Sequence, residues 1–467
     1  MGLLTYSLGL YLFYFAAILV YRCLFHPLVH IPGPTIARAT YLYEWYYDLY
    51  LSGQYTFKLK ELHKRYGPVI RINPDEVHID DPDFFDEVYN QTNGRAEKHP
   101  QVAEAFDPYP ATIGTQSHDL HRVRRSALNY FFPKKAVNDL IPAMNRPIGS
   151  LCDRLSDASR SGETLNMKYI FAAVTLDIIN NCCFSREPEN IIKSDFGREG
   201  FDDVDSFLEA SLLNIHIPWL MRFSYSLPDS AYKDLSRQAE DIRHGRDRTY
   251  EKAGHRTVFH ELLESTLPPD ELKRDRLRDE AFSLMTAGSG TTAYVLRGTA
   301  YYIAANPSVR KQLYHELKAA IPDPFIQPPL QELDKLPYLS AIFPDKTLTC
   351  QGYVVLAGTT VGMTAFLTHQ NASIFPEPEA FRPGGWLSED RKRLGRYLIP
   401  FNRGTRSCLG INLARAELFL ILAAVFRWVD FDVSQMERAR DVEISRDHIL
   451  GAQAPDSTGI LVKVKTC

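Results

Sequence analysis

No C-x-x-C pair occurs anywhere in this 467-residue chain. Its seven cysteines (Cys23, Cys152, Cys182, Cys183, Cys350, Cys408 and Cys467) are odd in number and thinly spread. That argues against both a disulfide framework and a zinc ribbon, and fits a reducing compartment. A basic excess is missing as well: the formal net charge is −4, so the footprint of a phosphate-backbone binder is absent and nucleic acid is set aside as a partner. No G-x-G-x-x-G element is present, which leaves the chain without a dinucleotide fingerprint of its own. Repeats, low-complexity tracts and long linkers are lacking from residue 35 onward, so one large domain over 35–467 is the simplest expectation. Charged residues at 24% and hydrophobic residues at 45% describe a folded chain rather than a disordered one. The two N-x-S/T sequons, at Asn90 and Asn371, are no more than chance supplies.

The first charged side chain is Arg22. Twenty-one uncharged residues at helical rise span roughly 30 Å, the thickness of a bilayer core. Tyr6, Tyr11, Tyr14 and Tyr21 suit membrane interfaces. A signal peptide would need a basic leading region and a small-x-small cleavage site, and neither precedes Arg22. Residues 1–22 therefore read as a single transmembrane anchor, and Arg22 places the body on the cytosolic side. Next comes HPLVHIPGPTIA, in which Pro27, Pro32 and Pro34 lack backbone donors. Residues 23–34 are expected to be a stiff hinge between anchor and body.

Amphipathic periodicity predicts helices over 55–66, 119–129, 136–155, 167–181, 276–305, 308–320 and 411–426. Alternation predicts short strands at 68–72, 77–79 and 460–465, and a strand-turn-strand over 352–361. The fold class is mainly α with a minor β portion.

The stretch FNRGTRSCLG, 401–410, carries the chemistry. A lone cysteine is most often a small buried hydrophobe. Here Gly404 and Gly410 clear space on either side, Arg406 offers a planar fork suited to a carboxylate, and a helix begins directly after Gly410. The positive end of that helix favours the thiolate of Cys408, which is the form that ligates iron.

Phe401, Gly404, Arg406, Cys408 and Gly410 match all five fixed positions of F-x-x-G-x-R-x-C-x-G, and with them the chain resembles the cytochrome P-450 family of haem-thiolate monooxygenases. The resemblance implies that Cys408 is the axial ligand of haem b, that Arg406 pairs with a haem propionate and that Phe401 shields the sulfur. It runs along most of the chain. AGSGTT, 287–292, lies mid-helix and resembles the family's oxygen-binding groove, with Ala287 and Gly288 against the cofactor and Thr291 and Thr292 in proton delivery. Glycines that merely let two helices approach closely are the other reading of the same residues. HDLHRVRR, 118–125, resembles the helix in which a W-x-x-x-R pair holds the propionates; His121 stands at the Trp position and Arg125 at the Arg position. LLNIHIPWLMRF, 212–223, lies where the family has its substrate-access and membrane-dipping segment, and is apolar enough to be core instead. Pocket walls are expected from 100–116, 208–223 and 446–458.

Three positions depart from the family pattern. No Glu-x-x-Arg helix lies between KLPYLSAIF (335–343) and PDKTLTCQGYVVLAGTTV (344–361), so on the order of twenty residues are missing near 343–344, including a helix and a pocket-bordering strand. Gly385, in FRPGGW, replaces the Arg that pairs with that helix in the family. Gly290 stands where relatives carry an acid before the Thr, which leaves proton delivery to Thr291, Ser289 and water. A mis-spliced or mispredicted gene product, a degenerate member and a rearranged functional variant all fit. The abrupt junction favours the first, which Gly385 does not support.

The resemblance implies a membrane-anchored enzyme of the endoplasmic reticulum, of the fungal secondary-metabolism type, single-pass with a cytosolic catalytic domain. It would insert one atom of O2 into an apolar terpenoid, polyketide or similar molecule, with electrons from an NADPH-dependent flavoprotein reductase. The alternatives are a haem-thiolate enzyme that rearranges or dehydrates its substrate, and a catalytically inactive haem or membrane protein.

Overall fold

The computed structural model describes residues 2–89, 97–104, 111–187, 190–217, 237, 254–324, 326–342, 359–388 and 390–466. Its principal helices are α1 (Gly2–Val20), α2 (Tyr55–Tyr66), α3 (His118–Leu128), α4 (Ile141–Ser161), α5 (Met167–Phe184), α6 (Arg198–His216), α7 (Arg274–Ala305), α8 (Pro307–Ala320), α9 (Pro337–Ile342) and α10 (Ile411–Trp428). The strands are β1 (Val69–Arg71), β2 (Glu76–Ile79), β3 (Thr164–Asn166), β4 (Thr360–Gly362), β5 (Val429–Asp432), β6 (Arg446–His448), β7 (Leu450–Ala452) and β8 (Leu461–Thr466). The mainly helical expectation holds.

Two helices are apolar on nearly every side and form the centre. In α10, Phe419, Leu420, Ile421, Leu422, Ala423, Val425 and Phe426 are fully buried, and in α5 the run Ala173, Val174, Ile178 and Cys182 is equally enclosed. The 32-residue α7 lies along α5 and also packs on α10. The expected helix over 136–155 is two elements: Lys134–Asp139 ends at Leu140, and α4 begins at Ile141. Pro142 explains the break, since its ring removes the donor and crowds the carbonyl four residues back.

β1 pairs with β2 antiparallel, and β2 pairs with β4 in parallel, Val77 opposite Val361. β8 lies between β3 and β5, with Val462 and Val464 turned inward and Lys463 and Lys465 outward. β6 and β7 form a hairpin. Among the described residues, the first strand after the 343–344 junction is β4, paired with β2. The junction itself, the first part of 352–361, the end of 212–223 and the centre of 100–116 lie outside the described residues.

Leu4–Phe25 is an uncharged apolar span but for Arg22, 22 residues long and unburied, long enough to cross a bilayer. The Pro-rich hinge is part of the body rather than a free connector. Leu28 and Ile31 pack in one cluster with Val77 and Ile79. The fully buried Arg71 donates through Nη1 to the Arg22 carbonyl and through its backbone N–H to Pro32 O at 2.7 Å. A Cβ on Gly33 would stand 2.3 Å from Arg71 O, so only glycine fits there.

Candidate active site

The loop 401–410 is held by its own backbone. Cys408 N–H donates to Phe401 O at 2.8 Å, and Ser407 N–H to Gly404 O at 3.1 Å. Gly404 has φ +69, a left-handed conformation that explains its residue type, and Asn402 shares it at φ +56. Gly410 caps α10 at φ −88 and its Cβ position meets only Phe132, at 4.0 Å, so its glycine is not forced by contacts among the described residues.

Cys408 is exposed, yet burial of the surrounding walls pushes its thiol up, while the Gly410 N–H and the Arg125 charge pull it down. Exposure and desolvation agree if the sulfur lines a recess rather than the outer surface. The two opposing influences are the features of a thiolate-ligand site.

The cations of the recess form no carboxylate ion pair among the described residues, though Glu97 acts on Arg406 at longer range. Arg125 donates to Ser407 O at 2.7 Å, and Arg406 donates to Thr115 O and Gln116 O at 2.7 and 2.8 Å. Neither has a carboxylate ion-pair partner among the described residues, and Arg406 Nε is buried without any acceptor. Burial lowers the pKa of both guanidinium groups. His121, 5% exposed, is driven to about 4 by burial and then by Arg406 and Arg125, so it is neutral at pH 7. Lys98 is lowered to about 8 by burial and Arg406, and its Nζ donates to Ile113 O. His118 Nδ1 is buried with no partner. A macrocycle bearing two carboxylates and an iron that takes a thiolate would supply the charges this set lacks, and on that ground the residues present fit haem. Lys98 was not legible in the sequence, because nothing in its spacing ties it to residue 406. His118 sits inside the quoted basic helix and could have been chosen.

Helix α7 runs unbroken as an α-helix through 287–292, the segment that resembles the oxygen-binding groove. Ala287, Thr291 and Val295, four residues apart, form an open face. Thr291 Oγ1 donates to Ala287 O at 2.7 Å. Thr292 does not share that face: one residue on, a helix turns by about 100°, and its side chain is buried in packing at 3% exposure. Ser289 is turned away too, its hydroxyl donating to Met285 O while its carbonyl accepts from Thr175 Oγ1 of α5. Gly288 meets Ile179 Cδ1 at 2.6 Å from its Cβ position, so this glycine is there for close approach to α5. Gly290 is open, with Leu450 of the β6–β7 hairpin 4.0 Å from its Cβ position. The hairpin also touches α7 at Gly451, whose Cβ would stand 2.6 Å from the Tyr294 hydroxyl.

Gly385 is exposed with nothing within 4 Å of its Cβ position, in a turn that packs against α9. The ion pairs of that neighbourhood, Arg382–Glu377 and Arg393–Asp390, are solvent-exposed. No buried ionic network occupies it among the described residues.

The cytochrome P450 family model matches residues 40–344 and 345–457, two blocks that abut in this chain. A cytochrome P450 monooxygenase, tpcC, of Cochliobolus heterostrophus is 37% identical over 503 residues, covering 97% of this chain and 95% of that protein. A tryptophan 6-hydroxylase, fscE, of Fusarium equiseti is 33% identical over 478 residues, covering 95% and 93%. Both alignments are longer than the 467-residue chain, so each must open gaps in it. The crystal structure of a cytochrome P450, CYP102L1, superposes with a TM-score of 0.72 at 16% identity over 89% of this chain and 96% of that one, which shows the fold. With the thiolate loop and the cationic recess in place, the chain belongs to the cytochrome P450 family, whose cofactor is haem held by a cysteine thiolate and whose electrons come from a reductase.

Proposed function

We propose that this chain is a membrane-anchored monooxygenase of fungal secondary metabolism, with Cys408 as the haem ligand and its body on the cytosolic face of the endoplasmic reticulum. The observation that carries the reading is the recess, in which one cysteine sulfur and two guanidinium groups without carboxylates converge. Haem supplies the redox chemistry that places one atom of O2 in the substrate and releases the other as water. Arg125, Arg406 and His121 hold the propionates, each already fixed by backbone contacts or burial. The Gly410 N–H and Arg125 offset part of the burial that disfavours the Cys408 thiolate, and iron would supply the rest. Thr291 presents the hydroxyl that passes protons; with Gly290 in place of an acid and Ser289 turned away, water must complete the path. The leading substrate class is an apolar terpenoid or polyketide. Similarity to proteins named for hydroxylating tryptophan and N-acetyltryptophan adds aromatic amino-acid derivatives to the compounds worth assaying.

The reduced, carbon-monoxide-bound absorption spectrum tests this. Wild-type protein should give the red-shifted band of a thiolate ligand, and Cys408→Ser should abolish it. A band that survives Cys408→Ser removes the reading.

A second reading, a haem protein without turnover, is supported by the two abutting match blocks and by the direct docking of β4 on β2. Transcript sequencing across Phe343–Pro344 decides between them. A message that encodes a Glu-x-x-Arg segment there takes away its basis, and a message that matches this chain, with no product from any tested substrate despite the red-shifted band, supports it.

A further inference from the structure

A second cluster of titratable groups lies away from Cys408, between the N-terminal helical stretch 42–50 and the end of α6. His216, the last residue of α6, has a side chain only 2% exposed, and its Nε2 lies 3.1 Å from Asp48 Oδ2. Glu44, one helical turn before Asp48, presents a carboxylate to the same point. One donor atom from each of Glu44, Asp48 and His216 falls within 4.8 Å of the other two. Asp48 Oδ1 is fixed by the Tyr55 N–H at 3.2 Å, and Glu44 Oε2 accepts from Asn73 Nδ2 at 3.0 Å, so both carboxylates are oriented while an oxygen of each stays directed inward.

The charge balance around these groups is incomplete. Glu76 adds a further carboxylate through the shared Asn73 amide, and His99 faces Glu76 at 3.5 Å. The groups acting most strongly on Glu44 and Glu76 are the two imidazoles, Asn73 and other carboxylates, none of them a lysine or arginine. Two carboxylates and one imidazole thus converge on one point with a third carboxylate beside them.

We propose that Glu44, Asp48 and His216 form a binding site for one divalent transition-metal ion, zinc being the best match. Zinc takes imidazole nitrogen and carboxylate oxygen as ligands, and three protein ligands leave its fourth position to water. Tetrahedral coordination at about 2.1 Å places ligand atoms about 3.4 Å apart. The His216–Asp48 pair is already near that spacing, and Glu44 needs only a side-chain adjustment to join it. The ion would take the place of the direct Asp48–His216 hydrogen bond. It would also tie the end of α6 to a segment 168 residues earlier in the chain.

The test uses the full-length, haem-loaded protein, stripped with a chelator and then equilibrated with zinc chloride alone. Elemental analysis should find one zinc per chain beyond what His216→Ala retains, and zinc affinity should fall at least about tenfold in His216→Ala and in Glu44→Gln. Binding should tighten from about pH 6 to pH 8, because the ligands must lose protons. An unchanged far-ultraviolet circular dichroism spectrum without zinc certifies the fold of each variant; if His216→Ala misfolds, the near-isosteric Glu44→Gln decides. Zinc retained equally by wild type and Glu44→Gln, or no zinc bound at micromolar free concentration, overturns the proposal. The readout is the metal itself, so loss of the haem reading would not affect it.

Discussion

Single residues divide into those that fixed neighbours betray and those that only the fold reveals. Cys408 was legible because four other positions at set distances surround it, and Arg125 because it stands four residues from His121. Glu417 was not: in INLARAELFLILAAVF it reads as one polar residue on an amphipathic helix, yet it is 1% exposed and neither carboxylate oxygen has a partner among the described residues. Burial raises its pKa well above the usual carboxylate range. A folded-state pKa above the unfolded one means the folded chain binds the extra proton, so stability is intact below about pH 4.5 and is lost as pH rises. Glu417→Gln keeps the shape and removes the titration. It should raise the melting temperature at pH 8 and leave it nearly unchanged at pH 5. An equal shift at both values would mean that Glu417 is not protonated in the fold.

At the scale of elements, periodicity located α2, α7, α8 and α10 to within two residues, because each buries one face or all faces continuously. What it could not show is how elements reach one another. Buried ion pairs join the start of α7 to α3 and to the loop at 111–115: Arg276 pairs with Glu271 and Glu280, Arg124 with Glu271, and Glu280 accepts from both Thr112 N–H and Thr112 Oγ1. The same loop offers the Thr115 carbonyl that orients Arg406. Arg276→Met would leave Glu280, 3% exposed, without its charge partner, at a cost of about 3–5 kcal/mol. Denaturant unfolding should show that loss, and haem retention should fall with it as the Arg406 support loosens. The pairing of β2 with β4 was equally hidden, since no pattern in either strand names its neighbour.

For the molecule as a whole, the division into anchor, hinge and body was half legible. Prolines announced a change of direction at 27–34, but the sequence did not disclose that Leu28, Ile31 and the Arg22 carbonyl belong to the body's own core. Two truncations separate these roles. Removing residues 1–21 should leave a folded, haem-binding body. Removing residues 1–34 also strips two buried aliphatic side chains, each contributing about 1.5–3 kcal/mol, and takes the Arg22 and Pro32 carbonyls from Arg71. The second should melt well below the first; equal melting temperatures would show that the hinge adds nothing to the core. On the proposed membrane-anchored reading, Arg71 clamps the exit of α1, so a bilayer thinner or thicker than the 22-residue span would find no slack tether to absorb the mismatch. The entire globule must lean with its mast, and lipid thickness would then choose which flank it wets.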